Sequence, residues 1–243
     1  MERTESVNLP QMCLRFASAE ERPRVLEGVA DVYRKEIGLS TRFEVFDPKH
    51  LIVLENIDEG DLMGAIALHD DPLDTAEYFG WDNLKRVEPK LDKGRTFEVC
   101  RQTVFDTYRH QGLIVSPILM FSTAIFSTAL GKKWIIANQQ PRLRDFMIRS
   151  MGIQVTSPDL QIVRRPKSYP NLTFWDKAVP IIVALQPSLL TQAWRFFFEH
   201  DLIGKLTVQD CQPSDPLLNP FFPSTQTSIR PTPASVPELQ AVH

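Results

Sequence analysis

Arg95–Phe105, RTFEVCRQTVF, runs into Asp106–Gly112, DTYRHQG, and then Leu113–Leu130, LIVSPILMFSTAIFSTAL; these three segments decide the fold. In the first, Phe97, Val99, Arg101, Thr103 and Phe105 alternate with Glu98, Cys100, Gln102 and Val104, the two-residue period of a strand. The second is polar and holds Gly112, which suits a turn. In the third, Ile114, Ile118, Phe121 and Ile125 share one helical face, and Gly131 ends it. Lys133–Asn138 (KWIIAN) reads as the next strand, Pro141–Ser150 as a short helix stopped at Gly152, and Ile153–Thr156 as the start of more strand. The order β-turn-α-β-α-β predicts an α/β domain.

Upstream, residues 17–37 place Val25, Val29, Val32, Tyr33 and Ile37 at helical spacing after an acidic start. His50–Asn56 and Leu62–His69 are apolar runs joined by a polar turn at Gly60, which predicts a hairpin. Asp70–Arg95 reads as a loop with a short helix around Tyr78–Val87. Downstream, Leu160–Arg164 and Val179–Leu185 read as strands, and Pro187 opens a helix reaching about His200 with Leu190, Trp194 and Phe198. These elements divide the chain into an N-terminal extension (1–16), one domain (17–208) and a Pro-rich tail (209–243). Seven prolines fall in the 32 residues from Gln212, and outside LLNPFF few large apolar groups are present to offset the entropy of ordering. The tail is therefore expected to be disordered.

A chain of 243 residues with 43% hydrophobic side chains supports one substantial core. It has no run of about 18 uncharged apolar residues and no signal-peptide pattern at its start, so no transmembrane segment and a cytoplasmic location are expected. Cys13, Cys100 and Cys211 are odd in number and widely spaced, which points to free thiols and to no metal site. The net charge of -3 hides an asymmetry: residues 1–100 carry a balance of -8 and residues 101–170 one of +7. The basic part suits a phosphate-bearing ligand or an acidic protein, and the acidic part an amine; two solvated faces explain the same numbers. Nucleic acid is disfavoured, because the chain is acidic and the basic region lacks interleaved aromatics.

The turn Tyr108-Arg109-His110-Gln111-Gly112-Leu113-Ile114 has the makings of a phosphate cradle. A glycine lets backbone approach a ligand, the first N–H groups of a helix are free to donate, and Arg109 adds positive charge. An ordinary strand-to-helix turn with a solvated arginine has the same composition.

With its surrounding elements this turn resembles the GNAT superfamily, whose acyl-CoA loop reads Arg/Gln-x-x-Gly-x-Gly/Ala, over roughly residues 20–185. Arg109 and Gly112 match; Ile114 stands at the last small position, and Ile148 where the family commonly has a Tyr before a Gly such as Gly152. Within the superfamily the chain looks most like the acyl-homoserine-lactone synthases and the long-chain N-acyl amino acid synthases. Their Glu-x-Ser-Arg strand motif appears as Glu98-Val99-Cys100-Arg101, followed by Ser116 near a helix start and by Gly131. Their first-helix Arg corresponds to Arg34 and their paired acids to Glu44 and Asp47.

The resemblance implies a GNAT-like mixed twisted sheet flanked by helices, with an extra C-terminal helix. It also implies N-acyl transfer from an acyl thioester to the amine of an amino acid or related small molecule. Acyl-CoA or an acyl carrier protein would be the co-substrate, with no permanently bound cofactor. Glu98 is then the candidate base and Arg101 its catalytic neighbour, unless both merely close structural ion pairs in the sheet. Arg109, Gly112, Leu113 and Ile114 would bind the acyl donor, and Arg34, Glu44 and Asp47 the acceptor. Lys132, Lys133, Arg142, Arg144 and Arg149 would dock an acidic carrier protein. Cys100 is expected to be an ordinary buried thiol. The competing expectation is a non-catalytic GNAT-like module that binds acyl-CoA or a partner.

Overall fold

The computed structural model describes residues 9–37, 48–164 and 177–210. Its chain order is β1 (Met12–Phe16), α1 (Arg22–Ile37), β2 (His50–Asn56), β3 (Asp61–His69), α2 (Asp74–Phe79), α3 (Trp81–Val87) and β4 (Thr96–Val104). A 3-10 turn at Asp106–Gln111 leads to α4 (Gly112–Ala129), β5 (Trp134–Gln139), α5 (Pro141–Ser150), β6 (Val179–Ala184), α6 (Pro187–Glu199) and β7 (Leu206–Val208). The strands form one seven-stranded sheet in the order β6-β5-β4-β3-β2-β1-β7. The pairs β4–β5 and β1–β7 are parallel and the others antiparallel, so the sheet is mixed as expected.

Strand periodicity sorts the core onto two faces. On one, Phe97, Ile135, Ala137, Ile181 and Val183 pack against α4, α5 and α6. On the other, Leu51, Val53, Ala65 and Ala67 pack against Val25 and Val29 of α1. Further along that second face, Ile136 and Ile182 pack against Tyr78, Phe79 and Leu84 of α2 and α3. The central helix α4 sits close on β3: a Cβ at Gly64 would lie 2.5 Å from Thr103 O and 2.9 Å from Leu119 Cδ1.

Three boundaries differ from the sequence reading. Met12–Phe16, assigned there to an extension, is a strand between β2 and β7; a five-residue segment with Arg15 among its apolar residues gives too short a period to recognise. Ile153–Thr156 and Leu160–Arg164 are not strands; of these residues only Thr156 bridges to the sheet, at Ile182. The Asp70–Arg95 stretch holds two short helices, α2 and α3, rather than one. The proposed tail beyond residue 210 lies outside the described residues.

Candidate active site

β4 pairs with β5 only over Thr96–Glu98 against Trp134–Ile136, yet β4 continues to Val104 and β5 to Gln139. Beyond Glu98 and Ile136 the two strands part, and a wedge opens between them. A bulge accompanies the parting: the β3–β4 register shifts between Ala65 and Ala67, and Arg101 takes a left-handed φ of 56°. The bulge breaks the alternation read from the sequence. Gln102, expected beside Glu98 and Cys100, instead joins the α4 side, where its Nε2 donates to Ser116 O at 3.0 Å and to Ser116 Oγ at 2.6 Å.

The wedge is a cleft of about 340 Å³ lined by Tyr33, Glu36, Cys100, Arg101, Gln140 and Leu143, with Val99, Gln102 and Gln139 at its inner end. Those last three also line a narrow apolar cavity of about 30 Å³ among Met120, Ala124, Met147, Ile153 and Leu189. Val99, Gln102 and Gln139 thus form the wall common to the cleft and the apolar cavity.

Glu98, the last β4 residue paired with β5, is 4% exposed and does not reach the cleft surface. Thr75 at the start of α2 donates to it, the backbone N–H to Oε1 and Oε2 at 2.9 Å each and the hydroxyl to Oε1 at 2.7 Å. Burial, aided by the charge of Asp74 and opposed by the Thr75 hydrogen bonds, raises its pKa to about 8. His69, also buried, pairs with Glu98 across β3–β4. Burial likewise pushes the Cys100 thiol far above its usual range, so it is not a thiolate nucleophile.

At the cleft mouth Arg109 pairs with Glu36 at 2.6 Å and with Asp106 at 2.7 Å. Gly112 opens α4, where a Cβ would meet nothing within 4 Å and Gln111 provides no side-chain cap. The backbone N–H of Gly112 donates to Arg109 O, so the 3-10 turn runs directly into α4 beside β4's end.

Other expected site residues are placed differently. Arg34 points away from the cleft and pairs with Asp31; the α1 residues that line the cleft are Tyr33 and Glu36, which the motif comparison missed because it tracked charge and not helical phase. Glu44 and Asp47 lie outside the described residues. The five basic residues do not form one patch. Lys132 and Lys133 precede β5, whereas Arg142, Arg144 and Arg149 follow it on α5, about 20 Å away for a six-residue strand. Lys132 also donates to Gly94 O at 3.0 Å and lies 4.5 Å from the Phe97 ring centre. Arg144 pairs with Asp145 at 2.8 Å, while Arg142 and Arg149 are exposed.

The splayed β4–β5 pair with a helix entering at its mouth can be compared with solved structures. The CoA-dependent acyl-homoserine lactone synthase BjaI, with SAM and isopentyl-CoA, superposes with a TM-score of 0.55 at 17% identity, over 86% of this chain and 98% of that one. The fold is that of the GNAT-type synthases. FeeM, an N-acyl amino acid synthase from uncultured soil microbes, shares it with a TM-score of 0.51 at 17% identity, over 78% of this chain and 99% of that one. The acyl-homoserine-lactone synthase LasI gives 0.50 at 16% identity, over 77% and 96%. No protein-family model and no curated protein matches the sequence. Within this GNAT-type fold, no helix of the described residues is long and apolar enough to cross a membrane.

Proposed function

We propose that this protein is an N-acyltransferase that moves an acyl chain from a thioester, on CoA or an acyl carrier protein, to the amine of an amino acid or related small molecule. The observation that carries this reading is the wedge where β4 leaves β5, with an apolar cavity directly behind its wall of Val99, Gln102 and Gln139. The acyl chain enters the apolar end, where Met120 and Met147 can shift to admit it. The thioester carbonyl lies between the strands, and backbone N–H groups freed by the parting stabilise the oxyanion. The phosphate-bearing part of the donor reaches the start of α4.

A neutral amine attacks the carbonyl carbon, the new C–N bond forms as the C–S bond breaks, and the amine proton passes to a base and then to the departing thiolate. Glu98 takes this base role through an intervening water, since its side chain is buried behind the cleft surface. Arg101 anchors the acceptor's anionic group from the cleft wall. If the donor is a carrier protein, its acidic surface docks on Arg142 and Arg149 of α5 beside the mouth.

Mass spectrometry of lipid extracts from cells overproducing the protein, compared with Glu98→Gln, tests the reading. An acylated amine present with the wild type and lost in the variant supports it. Identical extracts with adequate precursors favour a non-catalytic acyl-CoA-binding module, the reading to which Ile114 at the small-residue position of the loop lends weight.

A further inference from the structure

Three polar residues line the apolar cavity behind the wedge: Gln102, Thr123 and Gln139. Two of them are engaged. Gln102 Nε2 donates to Ser116 O and Oγ, and the Thr123 hydroxyl donates to Met120 O at 2.6 Å. Gln139 differs, because it is 9% exposed and its Oε1 is shut off from solvent and makes no hydrogen bond. A buried carboxamide oxygen without a partner costs free energy, and folded proteins rarely keep one.

Its place in the fold says what could complete it. Gln139 ends β5, beyond the last pairing with β4 at Ile136. Strand alternation puts its side chain on the face of Ile135 and Ala137, which line the cavity with it. Gln139 lines the cleft as well, so it belongs to the wall between the two. An acyl chain that passes from the wedge into the cavity has to part this wall, and in doing so it uncovers Oε1. The side chains of Met147, Ile153 and Leu189 further inside have no donor to offer it. A plain hydrocarbon chain has none either, and leaves the oxygen as it was.

We infer that Gln139 selects acyl donors carrying a hydroxyl group on one of the first carbons beyond the thioester carbonyl, the hydroxyl donating to Oε1 as the chain crosses the wall. The first carbons are the ones concerned because the wall adjoins the cleft in which the carbonyl lies. A hydroxyl both donates and accepts, so it also fits if the amide oxygen and nitrogen are exchanged. A methyl group of similar size brings the bulk without the bond. This assignment rests on the acyltransferase reading above.

The test is amine-dependent thiol release by the full chain from four CoA thioesters: octanoyl, 2-hydroxyoctanoyl, 3-hydroxyoctanoyl and 3-methyloctanoyl. One of the two hydroxylated donors should exceed octanoyl-CoA in kcat/KM by about tenfold, the worth of one hydrogen bond to a buried group, and 3-methyloctanoyl-CoA should not. Gln139→Leu should bring that ratio to within about twofold of unity. Its melting temperature should equal or exceed that of the wild type, because an unpartnered polar group has been replaced by an apolar one. Gln139→Met, unbranched and of similar length, carries the same prediction should the leucine variant fail to fold, and the wild-type comparison decides where neither folds. A wild type that uses hydroxylated and plain chains equally, or a variant in which all donors fall together and the ratio persists, overturns the assignment alone. A wild type that acylates no amine from any of the four donors overturns the acyltransferase reading and this assignment with it.

Discussion

Thr75 holds Glu98 with three hydrogen bonds, its backbone N–H reaching both carboxylate oxygens at 2.9 Å and its hydroxyl reaching one at 2.7 Å. The contact fastens α2 to β4 at the last residue before the sheet divides. A buried hydroxyl bond of this kind is worth about 1–2 kcal/mol, and more when the acceptor is ionised. Thr75→Val should therefore destabilise the fold by about that amount in urea denaturation, whereas Thr75→Ser should lose less. A valine variant as stable as the wild type contradicts the clamp.

Glu98 also makes stability depend on pH. Its ordinary value of 4.5 is raised to about 8, first by burial and then by Asp74, so between these values the folded state holds a proton that the unfolded state has released. The linkage sign then gives a contribution fully present below about pH 4.5 and lost as pH rises through about 8. Denaturation of wild type against Glu98→Gln should show the wild type losing stability relative to the variant across that window. On the proposal that Glu98 is the base of acyl transfer, activity should rise over the same upper limb. A stability difference independent of pH contradicts the raised value.

Cys100 borders the cleft but stays protonated because burial raises its thiol pKa. Iodoacetamide should label it slowly at pH 7.5, and Cys100→Ser should retain at least half of the wild-type turnover, as monitored by thiol release from acyl-CoA. Complete loss in the serine variant would give the sulfur a role that this account denies.

Gly64 of β3 is packed between Thr103 O of β4 and Leu119 of α4. Adding a methyl group there meets Thr103 O at 2.5 Å, a backbone atom that cannot rotate away, so Gly64→Ala should cost about 1–3 kcal/mol in denaturation midpoints. A neutral substitution would show that β3 and β4 can shift apart to admit the methyl group.

Local periodicity carried the sequence reading as far as local interactions reach. The β4-turn-α4-β5 unit, the β2–β3 hairpin and α6 were legible because each repeats its apolar residues over several turns or pleats. The Arg101 bulge was not, since one extra residue in a strand leaves composition and alternation intact and shows only against the partner strand. For the same reason Gln102 was assigned to the wrong face. The clamp from Thr75 to Glu98 spans 23 residues and depends on how α2 lies over the sheet, which no spacing rule encodes. Tyr33 and Glu36 were overlooked beside Arg34 because a motif match fixes residue type and not which side of the helix faces the cleft.

The central claim is that the wedge between β4 and β5 holds an acyl thioester and delivers its acyl group to an amine. Purified protein should be given octanoyl-CoA with and without single amino acids, free thiol followed over time, and the product weighed by mass spectrometry. The account predicts thiol release that depends on the amine, an N-octanoyl amide in equal amount, and loss of both when Ala124→Phe fills the apolar cavity. No amine-dependent release with any acceptor, together with a melting temperature that octanoyl-CoA leaves unchanged, would contradict it.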